Sequence, residues 1–149
     1  MVRRPLSLAC MVALLACIGS AAALEFGAIS GASAILYDAP SAKAKKLYVV
    51  SRYTPLELVV TLNDWVKVRA QDGSLGWVEK NALGGARFVV VTAVLADVRK
   101  SPDAAAPVIF QARRQVALEW LENTGTGWVK VRHPDGASGY VKVGDVWGD

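Results

Sequence analysis

Histidine occurs once in the 149 residues, at His133, and cysteine twice, at Cys10 and Cys17. With so few of these side chains the chain cannot assemble a His-rich or Cys-rich metal site or a Cys-His hydrolase, and it carries no nucleophile motif. No glycine-rich loop follows a strand in the way a phosphate cradle requires. No Asp or Glu stands in a context that marks it as an acid or base. The expectation is a protein that is not an enzyme and uses no cofactor or metal. An excess of one charge is also missing: 17 basic residues against 13 acidic ones give a net charge of +4, too balanced to indicate nucleic-acid binding. Helical periodicity is scarce after residue 25, its best candidate being the short stretch Ala42 to Lys46.

The first 23 residues read differently from the rest. Arg3 and Arg4 precede an uncharged stretch from Leu6 to Ile18, and the small run Ser20-Ala21-Ala22-Ala23 follows. This is the order of a secretory signal, residues 1–23, with Ala21-x-Ala23 as its cleavage site. The apolar stretch is shorter than the roughly 20 residues a spanning helix needs, and no second one follows, so no transmembrane helix is expected. A periplasmic or secreted protein is the preferred reading. Cleavage removes both cysteines and, with Arg3 and Arg4, lowers the net charge to +2. A second reading stays open, because Leu14-Leu15-Ala16-Cys17 resembles a lipobox, and lipidation of Cys17 would tether the protein to a membrane leaflet.

The remainder is organised by a repeat. Trp65-Val66-Lys67-Val68-Arg69, Asp72-Gly73 and Gly76-Trp77-Val78 return 63 residues later as Trp128-Val129-Lys130-Val131-Arg132, Asp135-Gly136 and Gly139-Tyr140-Val141. With an offset of 62 the likeness extends upstream, pairing Phe26 with Phe88, Pro40 with Pro102, and Leu56-Glu57 with Leu118-Glu119. The copies run over 25–83 and 87–147, joined by a short link at 84–86. Each is a series of short apolar, β-branched runs, such as Leu56-Glu57-Leu58-Val59-Val60. Turn clusters such as Gln71-Asp72-Gly73-Ser74 and His133-Pro134-Asp135-Gly136 separate them. Copies of this size suit small partly open β-barrels better than two-sheet sandwiches. A lone core of about 60 residues is marginal, so the barrels are expected to touch.

Within each copy these residues resemble the bacterial SH3 family. The second copy does so through Ala96-Asp97-Val98-Arg99-Lys100-Ser101-Pro102, Trp128-Val129-Lys130-Val131, Asp135-Gly136 and Gly139-Tyr140-Val141. The first does so through Trp65, Val68, Gly73, Gly76, Trp77 and Val78, while its opening, Leu36-Tyr37-Asp38-Ala39-Pro40, lacks the arginine. Both copies lack the glycine the family often has before the middle strand, where Tyr53-Thr54 and Gln115-Val116 stand. The resemblance implies an all-β chain of two tandem SH3-like barrels. It also implies a non-catalytic binding module for peptide or peptidoglycan in the cell envelope. The alternative is a structural or assembly partner with no small ligand, its aromatic faces used as protein interfaces.

Strand alternation assigns the candidate sites. Val66, Val68 and Val78 fall on the core side with Val129, Val131 and Val141. Trp65, Lys67, Arg69 and Trp77 fall on the other side, as do Trp128, Lys130, Arg132 and Tyr140. Such a face suits stacking on a sugar or peptide while cations meet a carboxylate; it equally suits burial at a barrel end or between copies. Tyr37 and Arg99, at equivalent positions on the long first loop, are further candidates for a groove wall. Trp120 and Trp147 have no aromatic counterpart in the first copy and are expected to pack the second barrel or an interface. Lys43, Lys45 and Lys46 read as a solvated loop, and His133 as a turn residue.

Overall fold

The computed structural model describes residues 23–149; the secretory-signal reading, Cys10 and Cys17 lie outside the described residues. The first barrel is built from β1 (Phe26–Ile29), β2 (Ser33–Tyr37), β3 (Lys46–Ser51), β4 (Pro55–Leu62), β5 (Trp65–Arg69), β6 (Leu75–Glu79) and β7 (Leu83–Gly84). The second repeats the series as β8 (Phe88–Val91), β9 (Leu95–Arg99), β10 (Val108–Arg113), β11 (Ala117–Asn123), β12 (Trp128–Arg132), β13 (Ser138–Lys142) and β14 (Val146–Trp147). Each forms one seven-stranded antiparallel sheet, in the orders β3-β2-β6-β5-β4-β1-β7 and β10-β9-β13-β12-β11-β8-β14. A 3-10 turn precedes the last strand of each, at Lys80–Ala82 and Val143–Asp145. Ala42 to Lys46 forms no helix: the chain turns there and enters β3.

Alternation in the repeated motif produces the two cores. Val66, Val68 and Val78 are at most 2% exposed and pack with Ile29, Leu36 and Leu56. Val129, Val131 and Val141 are fully buried with Val89, Val98 and Leu118. The repeated Asp-Gly pairs turn the β5–β6 and β12–β13 hairpins with Gly73 and Gly136 at φ +85° and +97°, where a side chain is strained. Gly76 and Gly139 serve a different need. A Cβ on Gly139 would stand 2.6 Å from the Arg99 carbonyl oxygen, and one on Gly76 would stand 3.0 Å from the Leu36 side chain. Their absence of a side chain lets β6 and β13 close onto β2 and β9.

The barrels touch through their first strands. Phe26 to Ile29 and Phe88 to Val91 are buried at every position, so neither strand has a solvent face. Phe88 stacks on Tyr53 with ring centroids 4.3 Å apart, and Trp147 meets Phe26 edge-on at 5.1 Å. Gly148, at φ +109°, lies so close to Pro55 that a Cβ would be 2.9 Å from the proline ring. Arg87 lies over the Trp120 ring at 4.1 Å and donates to the Gly148 carbonyl at 3.2 Å. Trp120 in turn donates through Nε1 to Asp149 at 2.9 Å. Trp147 is thus an interface residue and Trp120 packs the second barrel. Gly84, placed in the link by the sequence, pairs with Ala28 within β7.

The missing family glycines have a structural answer. Tyr53 and Gln115 adopt the left-handed conformation themselves, at φ 66° and 70°. For an L residue this costs roughly 1–2 kcal/mol. At Tyr53 the stack on Phe88 offsets it, an aromatic pair contributing roughly 0.5–1.5 kcal/mol beyond its buried area.

Candidate binding site

Cross-strand register sets the candidate side chains in rows on the outer face of each sheet. In the first barrel Tyr37 pairs with Trp77, Trp77 with Lys67, and Lys67 with Val60. In the second, Arg99 pairs with Tyr140, Tyr140 with Lys130, and Lys130 with Glu122. The next row holds Glu79, Trp65 and Leu62 in the first barrel. Its counterpart holds Lys142 and Trp128, with Thr124 bonded to the Trp128 carbonyl at 3.0 Å.

These residues differ in access. Tyr37 and Trp128 are each only 8% exposed, so neither forms an open wall. Tyr37 lies edge-on against Trp65 at 5.4 Å, closing the corner where the long loop meets the hairpin. Trp65, Trp77, Arg99 and Tyr140 are half-buried. Lys130 stands 5.8 Å from the Tyr140 ring centre and Lys142 6.0 Å from that of Trp128, at the outer limit for a cation–π contact.

The arginines of the motif are tied up inside their own barrels. Arg69 binds both oxygens of Glu57 at 2.9 Å, and Arg132 meets Glu119 at 2.8 Å. That leaves Lys67 and Lys130 as the cations of the two rows that have no ion-pair partner among the described residues. Arg99 donates to the Ala106 carbonyl at 2.8 Å and to Asp97 at 2.7 Å, bracing the loop 100–107 from beneath. In the first barrel, which lacks that arginine, the Asp38 carboxylate accepts from the Lys45 backbone N–H at 3.0 Å. The matching loop is closed by a different bond. Lys43, Lys45 and Lys46 are exposed, and His133 sits in its turn with Nδ1 3.0 Å from Asp135.

Beside each row lies a cleft at one equivalent place. In the first barrel it measures about 280 Å³ and is lined by Ser33, Ile35, Tyr37, Val78, Glu79 and Ala82 among others. In the second it measures about 130 Å³ and is lined by Leu95, Asp97, Arg99, Trp128, Lys142 and Asp145. A further open cleft of about 540 Å³ runs past Asp64, Trp65, Glu79, Lys80 and Asn81. Glu79, Lys142, Asp97 and Asp145 were not singled out from the sequence. Comparing the copies at the 63-residue offset, which sets Glu79 against Lys142, carries the signal that would have found two of them. Among the described residues no group of His, Cys, Asp or Glu could hold a metal ion, and no helix is long and apolar enough to cross a membrane.

The paired half-open barrels and their register-matched faces define a duplicated all-β fold. Two family models, each described as a bacterial SH3 domain, match residues 30–85 and 93–146. The chain belongs to the bacterial SH3 family and carries two such domains in tandem. No curated protein matches it. Among solved structures it is similar to NlpC2 from Trichomonas vaginalis, with 13% identity, a TM-score of 0.40, and coverage of 85% of this chain and 49% of that one. NlpC1 from the same organism gives 12%, 0.40, 88% and 48%. An NlpC/P60 family protein from Bacillus cereus ATCC 10987 gives 17%, 0.39, 82% and 55%. The chain therefore spans about half the length of the solved structures it resembles.

Proposed function

We propose that this is a non-catalytic, exported binding module that recognises peptide or peptidoglycan in the bacterial cell envelope. The observation that carries the reading is the row Arg99, Tyr140, Lys130, with Trp128 and Lys142 in the next row and a cleft at its end. A half-buried ring held between the braced Arg99 and Lys130 can cover a flat apolar or sugar surface while Lys130, which has no ion-pair partner among the described residues, offers charge to a carboxylate. In the first barrel Trp65 and Trp77 offer rings with one lysine, and Tyr37 supports them from below. Membership of the bacterial SH3 family supports envelope binding as the general role.

The test is co-sedimentation with purified peptidoglycan, followed by titration with its soluble peptides. The wild-type protein should pellet, and Tyr140→Ala should weaken binding by roughly tenfold if the ring is a contact worth about 1.4 kcal/mol. Failure of the wild type to bind any envelope fraction would end the reading. Mass spectrometry of the exported protein tests its location: a chain starting at Leu24 supports a periplasmic or secreted form, and a lipidated Cys17 supports the tethered one.

The second reading, an assembly partner whose aromatic faces are protein interfaces, is favoured at the first barrel alone. There Val60 and Leu62 extend the Trp65 and Trp77 face and are 50% and 47% exposed.

A further inference from the structure

The outer face of the first barrel is apolar where the same face of the second is not. Val60 pairs with Lys67 and Leu62 with Trp65, so both lie on the side that carries Trp65 and Trp77. At the matching registers the second barrel has Glu122 opposite Lys130 and Thr124 opposite Trp128. The fold therefore accepts polar residues at both positions. A single exposed valine or leucine needs no explanation, but a contiguous strip with two half-open tryptophans marks a contact surface.

Charge tells what fits on it. Trp65 and Glu79 face each other across β5 and β6, and Lys67 and Trp77 do so one rung away. Adjacent strands are about 4.8 Å apart and residues i and i+2 about 6.7 Å apart. The four side chains thus mark the corners of a quadrangle, with tryptophans on one diagonal and Lys67 and Glu79 on the other. Neither charged group has an ion-pair partner among the described residues. Turning a second copy about a two-fold axis along the tryptophan diagonal sets ring against ring and each Lys67 against the Glu79 of the other copy. The strands then cross at a steep angle, as in orthogonal sheet packing. In the second barrel the same quadrangle holds Trp128, Tyr140, Lys130 and Lys142, and the operation would bring lysine onto lysine.

We propose that the protein forms a two-fold homodimer through the Trp65, Trp77, Val60 and Leu62 face of the first barrel, with Lys67 of each copy paired to Glu79 of the other. The inference gives the assembly reading of this face its partner. It does not depend on ligand recognition by the second barrel, which the dimer leaves open and presents twice.

Analytical ultracentrifugation of the purified protein without ligand, across a wide concentration range, reads the dimer directly. Glu79→Lys, which copies the lysine of the second barrel, should weaken dimerisation by at least roughly tenfold, because it places like charges together twice. Lys67→Glu should do the same, and the combined swap Lys67→Glu with Glu79→Lys should restore it. Val60→Glu with Leu62→Thr introduces only residues that the second barrel already carries at these positions, and should abolish the dimer with the circular dichroism spectrum unchanged. Lys142→Glu should leave it intact. A protein that stays monomeric at every concentration overturns the proposal, as does a dimer indifferent to the two charge reversals. Peptidoglycan sedimentation of the monomeric Val60→Glu, Leu62→Thr variant keeps the readings apart: its failure to pellet counts against recognition by the second barrel, not against the dimer.

Discussion

The two barrels are built to one plan and finished differently. They share strand order, bulges at the same places, the Arg-Glu pair behind the hairpin and a glycine where the sixth strand meets the second. Where they part is the outer face and the long loop. The first barrel closes its loop with an aspartate cap and carries a buried tyrosine under tryptophan; the second braces its loop with an arginine and surrounds its rings with charge. The shared features are those that close a small sheet on itself. The divergent ones are those a sheet of this kind does not need in order to fold, and there the functional differences are to be sought.

Predictions that test this division run from the core outward. Leu56→Ala and Leu118→Ala remove equivalent, fully buried side chains, and each should cost about 2–5 kcal/mol in urea denaturation. A cost confined to one of them would break the equivalence of the cores. Gly139→Ala should cost about 1–3 kcal/mol, and Gly76→Ala less. The added methyl meets a backbone oxygen in the second barrel but a movable leucine side chain in the first. Equal losses would mean that the two closures are alike.

Gln115→Gly should raise stability by about 0.5–1 kcal/mol by relieving a left-handed conformation with no aromatic partner. Tyr53→Gly should lower it despite the same relief, since it removes the stack on Phe88. Opposite signs in thermal melts sharpen the contrast. The smallest effect concerns the turns. Hydrogen bonds from the Ser74 hydroxyl and backbone hold the Asp72 carboxyl below its ordinary value, and the Ala137 N–H, then His133, do so for Asp135. A carboxylate with a depressed folded pKa contributes stability that is present above its unfolded pKa and lost as pH falls through the folded one. Both hairpins should therefore loosen slightly under acid. Carboxyl NMR titration of Ser74→Ala should show Asp72 returning toward its ordinary value while Asp135 stays put.

Much of the fold was legible because a strand repeats every two residues. That period alone put Val66, Val68, Val78 and their copies inside, and the sequence repeat made the assignment twice. The candidate site was legible only as a face. Arg69 and Arg132 looked free because their partners, Glu57 and Glu119, lie on a neighbouring strand whose register no local pattern announces. Tyr37 looked like a wall because nothing in its surroundings in the sequence shows that Trp65 reaches across to cover it. The contact between barrels was legible as an expectation of size, and Trp147 as a candidate for it, whereas the pairs it makes were not. It joins unlike positions, Tyr53 to Phe88 and Phe26 to Trp147, so the repeat cannot point to them.

The strained backbone at Tyr53 has a consequence for the order of assembly. Its support comes from Phe88, a residue that follows the whole of the first barrel along the chain. In a polypeptide delivered N-terminus first, the leading barrel can collapse around its valines, but its turn before β4 stays ahead of its support until the first strand of the next barrel arrives. The trailing half of the molecule thus supplies the ring on which this turn of the leading half rests.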